Sequence, residues 1–150
     1  MMFCLVGCGG SSSGSASAAS SSASSATSAA SSTSAAKDFD GSKYSDTGAG
    51  EMTLRTAGGT SEGGNVPQVA AKSTAELIQI GIDYNGGDGT VCTVYVDGVE
   101  NTKMNASDRI QSSINLQGAA LDNGVHTVEM VAMDGDNVKI YKKAQYEIVK

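Results

Sequence analysis

The stretch that decides the fold of this protein is residues 77–99, LIQIGIDYNGGDGTVCTVYVDGV. Two runs within it place an apolar side chain at every second position: Ile78, Ile80, Ile82 and Tyr84 in the first run, and Cys92, Val94 and Val96 in the second. The glycine-rich NGGDG lies between the runs, and Asp97-Gly98 follows the second. Alternation with a period of two, bounded by such residues, predicts half-buried β-strands joined by tight turns.

The same alternation continues on both sides of this stretch. Met52 and Leu54 alternate with polar residues before it, and Ile110, Ile114 and Leu116 alternate after it. The later run 126–132 places His126, Val128, Met130 and Ala132 on one face, and 138–149 is typical of one long or bulged strand. About seven or eight short strands, with turn signals roughly every 8–12 residues, predict an all-β fold, an antiparallel β-sandwich.

Two segments resemble the immunoglobulin-like modules of bacterial proteins. NGVHTVEMVAMDGD, residues 123–136, is similar to their late strand, in which a Gly precedes a His or a similar residue, apolar residues alternate, and an Ala-x-Asp turn follows. VYVDGV, residues 94–99, is similar to their Asp-Gly hairpins. The resemblance implies an immunoglobulin-like arrangement of the sandwich, and it brings no catalytic or binding residue to this chain.

The N-terminal part of the chain has a different composition. Residues 9–36 are only Ser, Ala, Thr and Gly, so they hold no charge and no large apolar side chain. Such a segment cannot build a core, and we predict a disordered linker. Its 28 residues, 9 to 36 inclusive, would have a root-mean-square reach of about 30 Å. A polar, turn-rich lead-in at 37–50 then precedes the β-sandwich domain, residues 51–150.

The charge of the chain limits its partners. All charged side chains follow residue 36, so the formal net charge of −6 belongs to the globular part. An acidic domain without a basic stripe repels phosphate backbones, and we therefore expect no nucleic-acid partner. The chain also lacks an apolar run near the roughly twenty residues that a transmembrane helix requires.

The segment Leu5-Val6-Gly7-Cys8, followed at once by small residues, resembles the lipobox of bacterial lipoproteins. The resemblance implies that the sulfur of Cys8 carries a diacylglycerol, that residues 1–7 are part of a signal segment removed before Cys8, and that residues 8–36 are the lipidated cysteine with its linker. The implied location is the bacterial cell membrane, lipid-anchored and facing outward, with the membrane as a partner through the covalent lipid. Because no Lys or Arg precedes Cys8, we expect the signal to begin upstream of Met1.

Few residues in the domain are of types that carry catalysis. His126, the single histidine, shares the alternation of Val128, which predicts a structural side chain near a sheet end. Cys92 shares the alternation of Val94, which predicts a buried and inert thiol. Neither residue lies in a motif for nucleophilic catalysis.

The acidic turns at 83–88 and 134–137 invite a calcium interpretation. An EF-hand loop needs Glu as its twelfth residue, but the twelfth residues here would be Val94 and Gln145. Asp, Asn and Gly also occur in hairpin turns for backbone reasons alone. We therefore expect no metal and no cofactor.

Surface tyrosines are the remaining candidates for ligand contact. Alternation directs Tyr84 and Tyr146 toward the core, whereas Tyr95 and Tyr141 have the opposite parity and are expected to be exposed. Exposed tyrosines are platforms on which a sandwich binds sugars. The glycine-rich loop at 58–67 is the most unusual connection, because its glycines permit close approach of a backbone.

The sequence favours a non-enzymatic ligand-binding or adhesion module at the cell surface, with a glycan or protein ligand. Two alternatives stay open. One is a structural or assembly subunit of a cell-envelope complex that pairs through an edge strand, with the segment at 66–69 around Pro67 as the protected edge. The other is a hydrolase that uses acidic residues.

Overall fold

Two facing β-sheets form the part of the chain that the computed structural model describes, residues 38–150. Nine strands contribute: β1 (Glu51–Thr56), β2 (Gly59–Thr60), β3 (Gln68–Ala70), β4 (Ile78–Asn85), β5 (Thr90–Val96), β6 (Val99–Ala106), β7 (Ile110–Leu116), β8 (Gly124–Asp134) and β9 (Asn137–Val149). The predictions for Cys8, for its lipobox Leu5-Val6-Gly7 and for the linker concern residues outside the described range. Within that range, no helix is long and apolar enough to cross a membrane.

The order of the strands gives the sandwich its topology. The first sheet follows the order β2-β1-β4-β7, and the second follows β3-β9-β8-β5-β6. Neighbouring strands are antiparallel except β3 and β9, which are parallel. Since β1 and β3 belong to different sheets, the chain changes sheets between them, as immunoglobulin-like sandwiches allow. The predicted all-β, immunoglobulin-like sandwich is confirmed, and it is antiparallel except for the β3–β9 pair. It has nine strands instead of about seven or eight, because two very short ones flank the loop at 61–67.

The core lies between the sheets and consists of the alternating residues. The side chains predicted to face inward on β4, β5 and β8 are buried, except that Ile78 at the start of β4 is only partly buried. The completely buried ones are Ile82, Tyr84, Cys92, Val94, Val128 and Met130. Each such apolar side chain contributes about 1.5–3 kcal/mol by leaving water. Between β5 and β6, Asp97 and Gly98 have φ values of 51° and 85°, which a tight hairpin turn of the predicted kind requires.

The strand directions define two ends of the sandwich. The turn at 97–98, the connection at 117–123 and the end of β9 lie at one end, here called the entry end. The turns at 86–89, 107–109 and 135–136 lie at the opposite end, here called the far end. The described chain begins at the entry end, because the N–H groups of Asp38 and Phe39 donate to the carbonyl of Gly98 at 2.8 and 2.9 Å.

The lead-in, described here from residue 38 to residue 50, runs along the second sheet from the entry end to the far end. Midway it reaches the edge of β9, where Thr47 exchanges two backbone hydrogen bonds with Tyr141 (3.0 and 3.1 Å). Near the far end, the Tyr84 hydroxyl donates to the carbonyl of Ala49. The lead-in is therefore held by contacts along its whole described length.

Candidate functional site

Tyr95 and Tyr141 lie on the outer face of the second sheet, as their parity predicts, but the lead-in lies over them. Tyr141 is only 1% exposed, and Tyr95 is half-buried. The prediction that Tyr141 is exposed is wrong, because a segment of the chain that the strand pattern does not include covers it. An open two-tyrosine platform for a ligand is not present in this arrangement of the described residues.

Four aromatic rings form what we call the covered aromatic face: Phe39, Tyr44, Tyr95 and Tyr141. Phe39 stacks on Tyr95 with ring centroids 4.9 Å apart and on Tyr44 with centroids 5.6 Å apart. Tyr44 in turn lies 5.7 Å from Tyr141 in a tilted arrangement. Aromatic pairs of this kind contribute about 0.5–1.5 kcal/mol beyond their burial. The rings therefore fasten the lead-in to the sheet.

A buried carboxylate lies beside this face. Glu129 is 7% exposed, and the Tyr141 hydroxyl donates to its Oε1 atom at 2.7 Å while lying 3.1 Å from the carbonyl oxygen of Gly41. Burial and this hydrogen bond raise the pKa of Tyr141 above its ordinary value. Gly41 is required here by space, because a Cβ atom on it would lie 1.5 Å from Oε1 of Glu129.

His126 has both ring nitrogens engaged. Its Nδ1 lies 2.6 Å from Oδ2 of Asp97 and its Nε2 lies 2.7 Å from the carbonyl oxygen of Asp122, while the ring stacks on Tyr146 at 5.1 Å. Both ring nitrogens therefore have oxygen partners within the fold. The ring thus ties the turn at 97–98 to the connection that precedes β8.

Cys92 is fully buried, as predicted. Its sulfur lies 3.7 Å from the carbonyl oxygen of Thr90, and burial raises the pKa of its thiol to about 11. The thiolate is the nucleophilic form, so at neutral pH this group is a protonated core side chain.

Two of the acidic groups near the far end, Asp83 and Asp88, are paired with cations. Asp83 lies in β4 instead of a turn and pairs with Arg55. Asp88 accepts hydrogen bonds from Thr90 and from Lys139, whose ammonium is 2.9 Å away, and these bonds hold the pKa of Asp88 far below its usual range. Among the described residues, no three His, Cys, Asp or Glu side chains are grouped so that they could hold a metal ion.

A polar cleft of about 410 Å³ opens between β9 and the loop that follows β2. Its walls come from the lead-in and β1, from the 3₁₀ turn at Glu62–Gly64, and from residues 142–145 of β9. Lys142 lies at its base, 5% exposed, with its ammonium 2.6 Å from Oδ1 of Asp46 and 3.0 Å from the carbonyl oxygen of Gly48.

One wall of this cleft, the loop at 58–67, is unusual enough in sequence to be a candidate, whereas the wall formed by β9 was not predicted. The signal for the second wall is Lys142, which has the inward parity of Ile140 and Tyr146 and so breaks an apolar alternation. A charge on a core-facing position of a strand indicates a place where the two sheets separate. The cleft lies at such a position, with Lys142 among its lining residues.

Comparisons with known proteins add little. No protein-family model matches the chain, and no curated protein is similar to it. Among solved structures, a lytic polysaccharide monooxygenase from Jonesia denitrificans is similar at 12% identity, over 57% of this chain and 58% of that one, with a TM-score of 0.34. The chain therefore spans less than two thirds of that protein, and so slight a likeness carries no argument about function.

Proposed function

We propose that this protein is a bacterial lipoprotein, held at the outward face of the cell membrane by a lipid on Cys8, and that its sandwich is a non-enzymatic ligand-binding or adhesion module. One observation carries the proposal: Leu5-Val6-Gly7-Cys8 is followed immediately by 28 residues, 9 to 36, of only Ser, Ala, Thr and Gly. A cysteine that carries two or three acyl chains binds a bilayer stably, since each buried CH₂ contributes about 0.8 kcal/mol.

The place where the chain enters the domain supports a tethered module. The first described residue, Asp38, is bound at the entry end by the carbonyl of Gly98. A tether attached there leaves the far end and the edge of β9 accessible to a ligand. The polar cleft beside β9 is one such accessible feature, and its volume of about 410 Å³ is within the range of ligand pockets.

The state of the reactive groups supports binding instead of catalysis. Both nitrogens of His126 have partners, the thiol of Cys92 is buried and protonated, and Asp88 is tied to Lys139. A general base or a nucleophile must reach its substrate within hydrogen-bond distance. His126 and Cys92 are buried, the exposed Asp88 is paired with Lys139, and none of the three lines the cleft.

The anchor is tested with the gene expressed from its native upstream region. We expect Cys8→Ser to lose the lipid and to move from the detergent phase to the aqueous phase on phase partitioning. Cys4→Ser is the matched control, since it removes a thiol from the same apolar run, and it should partition as the parent does. A mass spectrum showing an unmodified Cys8 thiol, with the preceding residues still attached, would contradict the proposal.

A further inference from the structure

The outer edge of β9 is paired at two places and open between them. Toward the far end, Tyr141 is bound by Thr47 of the lead-in. Toward the entry end, β3 pairs in parallel with β9 from Glu147 onward. Residues 142–146 lie between the two pairings, and four of them line the cleft. We call this open stretch of the β9 edge, residues 142–146, the slot.

The backbone alternation shows which groups face this slot. The N–H and C=O of Tyr141 bond to Thr47, and the N–H of Glu147 bonds to Pro67, so residues of this parity point away from β8. The register with β8 has no shift between Tyr141 and Ile148. The N–H and C=O groups of Lys143 and Gln145 therefore point into the slot. No other described residue donates to or accepts from these four groups.

The shape of the slot selects a slender occupant. The lead-in at Thr47 and the strand β3 flank it, so the edge of another folded sheet cannot approach, whereas a single extended chain can. The five residues from 142 to 146 span about 17 Å at roughly 3.3 Å each. Met52 and Ser61, both nearly buried, lie on the inner side together with Ala144. A residue entering the slot would place its side chain beside these three residues.

The spacing of the outward-facing N–H and C=O groups of Lys143 and Gln145 also indicates the chemical class of the ligand. On an edge strand, the outward-facing N–H and C=O groups recur at every second residue, about 6.6–7 Å apart. A partner β-strand presents its own N–H and C=O groups at the same spacing. Unpaired backbone groups of this kind bind a peptide main chain without regard to most of its sequence.

We propose that this slot binds an extended peptide segment of a partner protein, which adds to β9 as a short strand between the lead-in and β3. The proposal rests on the ligand-binding part of the proposed function and names the class of its ligand. It does not depend on the lipid at Cys8. The occupant exchanges backbone hydrogen bonds with Lys143 and Gln145 and places one side chain toward Ala144.

The test uses the full chain in mild detergent and a phage-displayed library of random linear heptapeptides. An enriched peptide is synthesised and its affinity is measured for two variants at one position. Gln145→Ala keeps the N–H group and should bind within about twofold of the parent. Gln145→Pro removes that N–H and fills part of the slot, so it should bind at least about tenfold more weakly. Proline is tolerated where a strand N–H faces away from its partner strand, and thermal unfolding of both variants checks this.

A second measurement does not depend on how the variants fold. The same peptide, N-methylated at its central amide, should bind the parent at least about tenfold more weakly, and peptide binding should slow hydrogen exchange at Lys143 and Gln145. Absence of any enriched peptide, or equal binding by Gln145→Pro, would overturn the proposal, as would binding of an arrayed glycan that is lost on Gln145→Pro. Phase partitioning of Cys8→Ser reports on the anchor separately, so a failed peptide test leaves that result intact.

Discussion

The two faces of β8 are buried by different parts of the chain. On the inner face, Val128 and Met130 contact the opposite sheet and are fully buried. On the outer face, Glu129 and Val131 are 7% and 4% exposed, although the second sheet has no further layer of strands on that side. The lead-in provides that cover. The inner burial follows from the pairing of two sheets, whereas the outer burial depends on one thin segment and should be easier to remove.

Truncation on the inner face should have the largest effect. Met130→Ala leaves a cavity among completely buried residues, and we expect it to lower the free energy of unfolding by about 2–5 kcal/mol in denaturant titrations. Val125→Ala, on the same strand but 56% exposed, is the control and should change it by less than about 0.5 kcal/mol. Equal losses would show that β8 is not packed as described.

Disturbing the cover should cost less and should expose the face beneath it. Gly41→Ala places a methyl group against Glu129 and the Tyr141 hydroxyl, so the lead-in must move away. We expect a loss of about 2 kcal/mol and faster chemical nitration of Tyr141. Ser45→Ala, at an exposed position of the same segment, should change neither the free energy of unfolding nor the rate of nitration. Unchanged nitration in Gly41→Ala would contradict the covering role.

The buried thiol of Cys92 should make the free energy of unfolding fall more steeply at alkaline pH. The pKa of Cys92 is about 11 in the folded protein and about 8.5 in an unfolded chain. The stabilisation from the buried, protonated thiol is present in full below the pKa of the unfolded chain. It is lost as pH rises from about 8.5 toward 11, because the thiol loses its proton first in the unfolded state. Between pH 7 and pH 10, the parent should lose on the order of 1–2 kcal/mol more than Cys92→Ala. If the free energy of unfolding changed equally with pH in the parent and in Cys92→Ala, burial of the thiol would be contradicted.

The smallest effect concerns a single ring pair on the outer face. A double-mutant cycle with Phe39→Ala and Tyr95→Ala should give a coupling energy of about 0.5–1.5 kcal/mol, since their rings stack at 4.9 Å. The same cycle with Phe39→Ala and Val125→Ala should give a value near zero. Coupling of equal size in both cycles would show that the effect is general destabilisation.

The parts of the fold that alternation describes were predictable from the sequence. Ile82, Val94 and Val128 are inside because a strand directs every second side chain to one face, and this needs no knowledge of distant residues. The Asp97-Gly98 turn was predictable for a similarly local reason. The β-sandwich followed from the number and spacing of the strands, and two short resemblances implied its immunoglobulin-like arrangement, whereas the order of the strands within each sheet was not predicted.

The cover and the cleft were not predictable in the same way. Residues 38–50 have no strand alternation, and their position depends on contacts with residues far along the chain, such as Phe39 with Tyr95. Tyr141 was therefore expected at the surface when only its strand was considered. The cleft depends on where Thr47 and β3 meet β9. The glycine-rich loop at 58–67 and the inward parity of Lys142 each indicate one wall locally, but neither indicates that the two walls meet.

The attachment of Asp38 and Phe39 to the carbonyl of Gly98 has a mechanical consequence. Tension applied through the preceding residues would load these contacts first and then the ring stack of Phe39, one after another, in the manner of peeling. The hydrogen-bonded strands behind them would share a load among many bonds at once. Applied force would therefore expose Tyr95 and Tyr141 before it separated the two sheets. Mechanical unfolding of the domain should accordingly show an early step at low force.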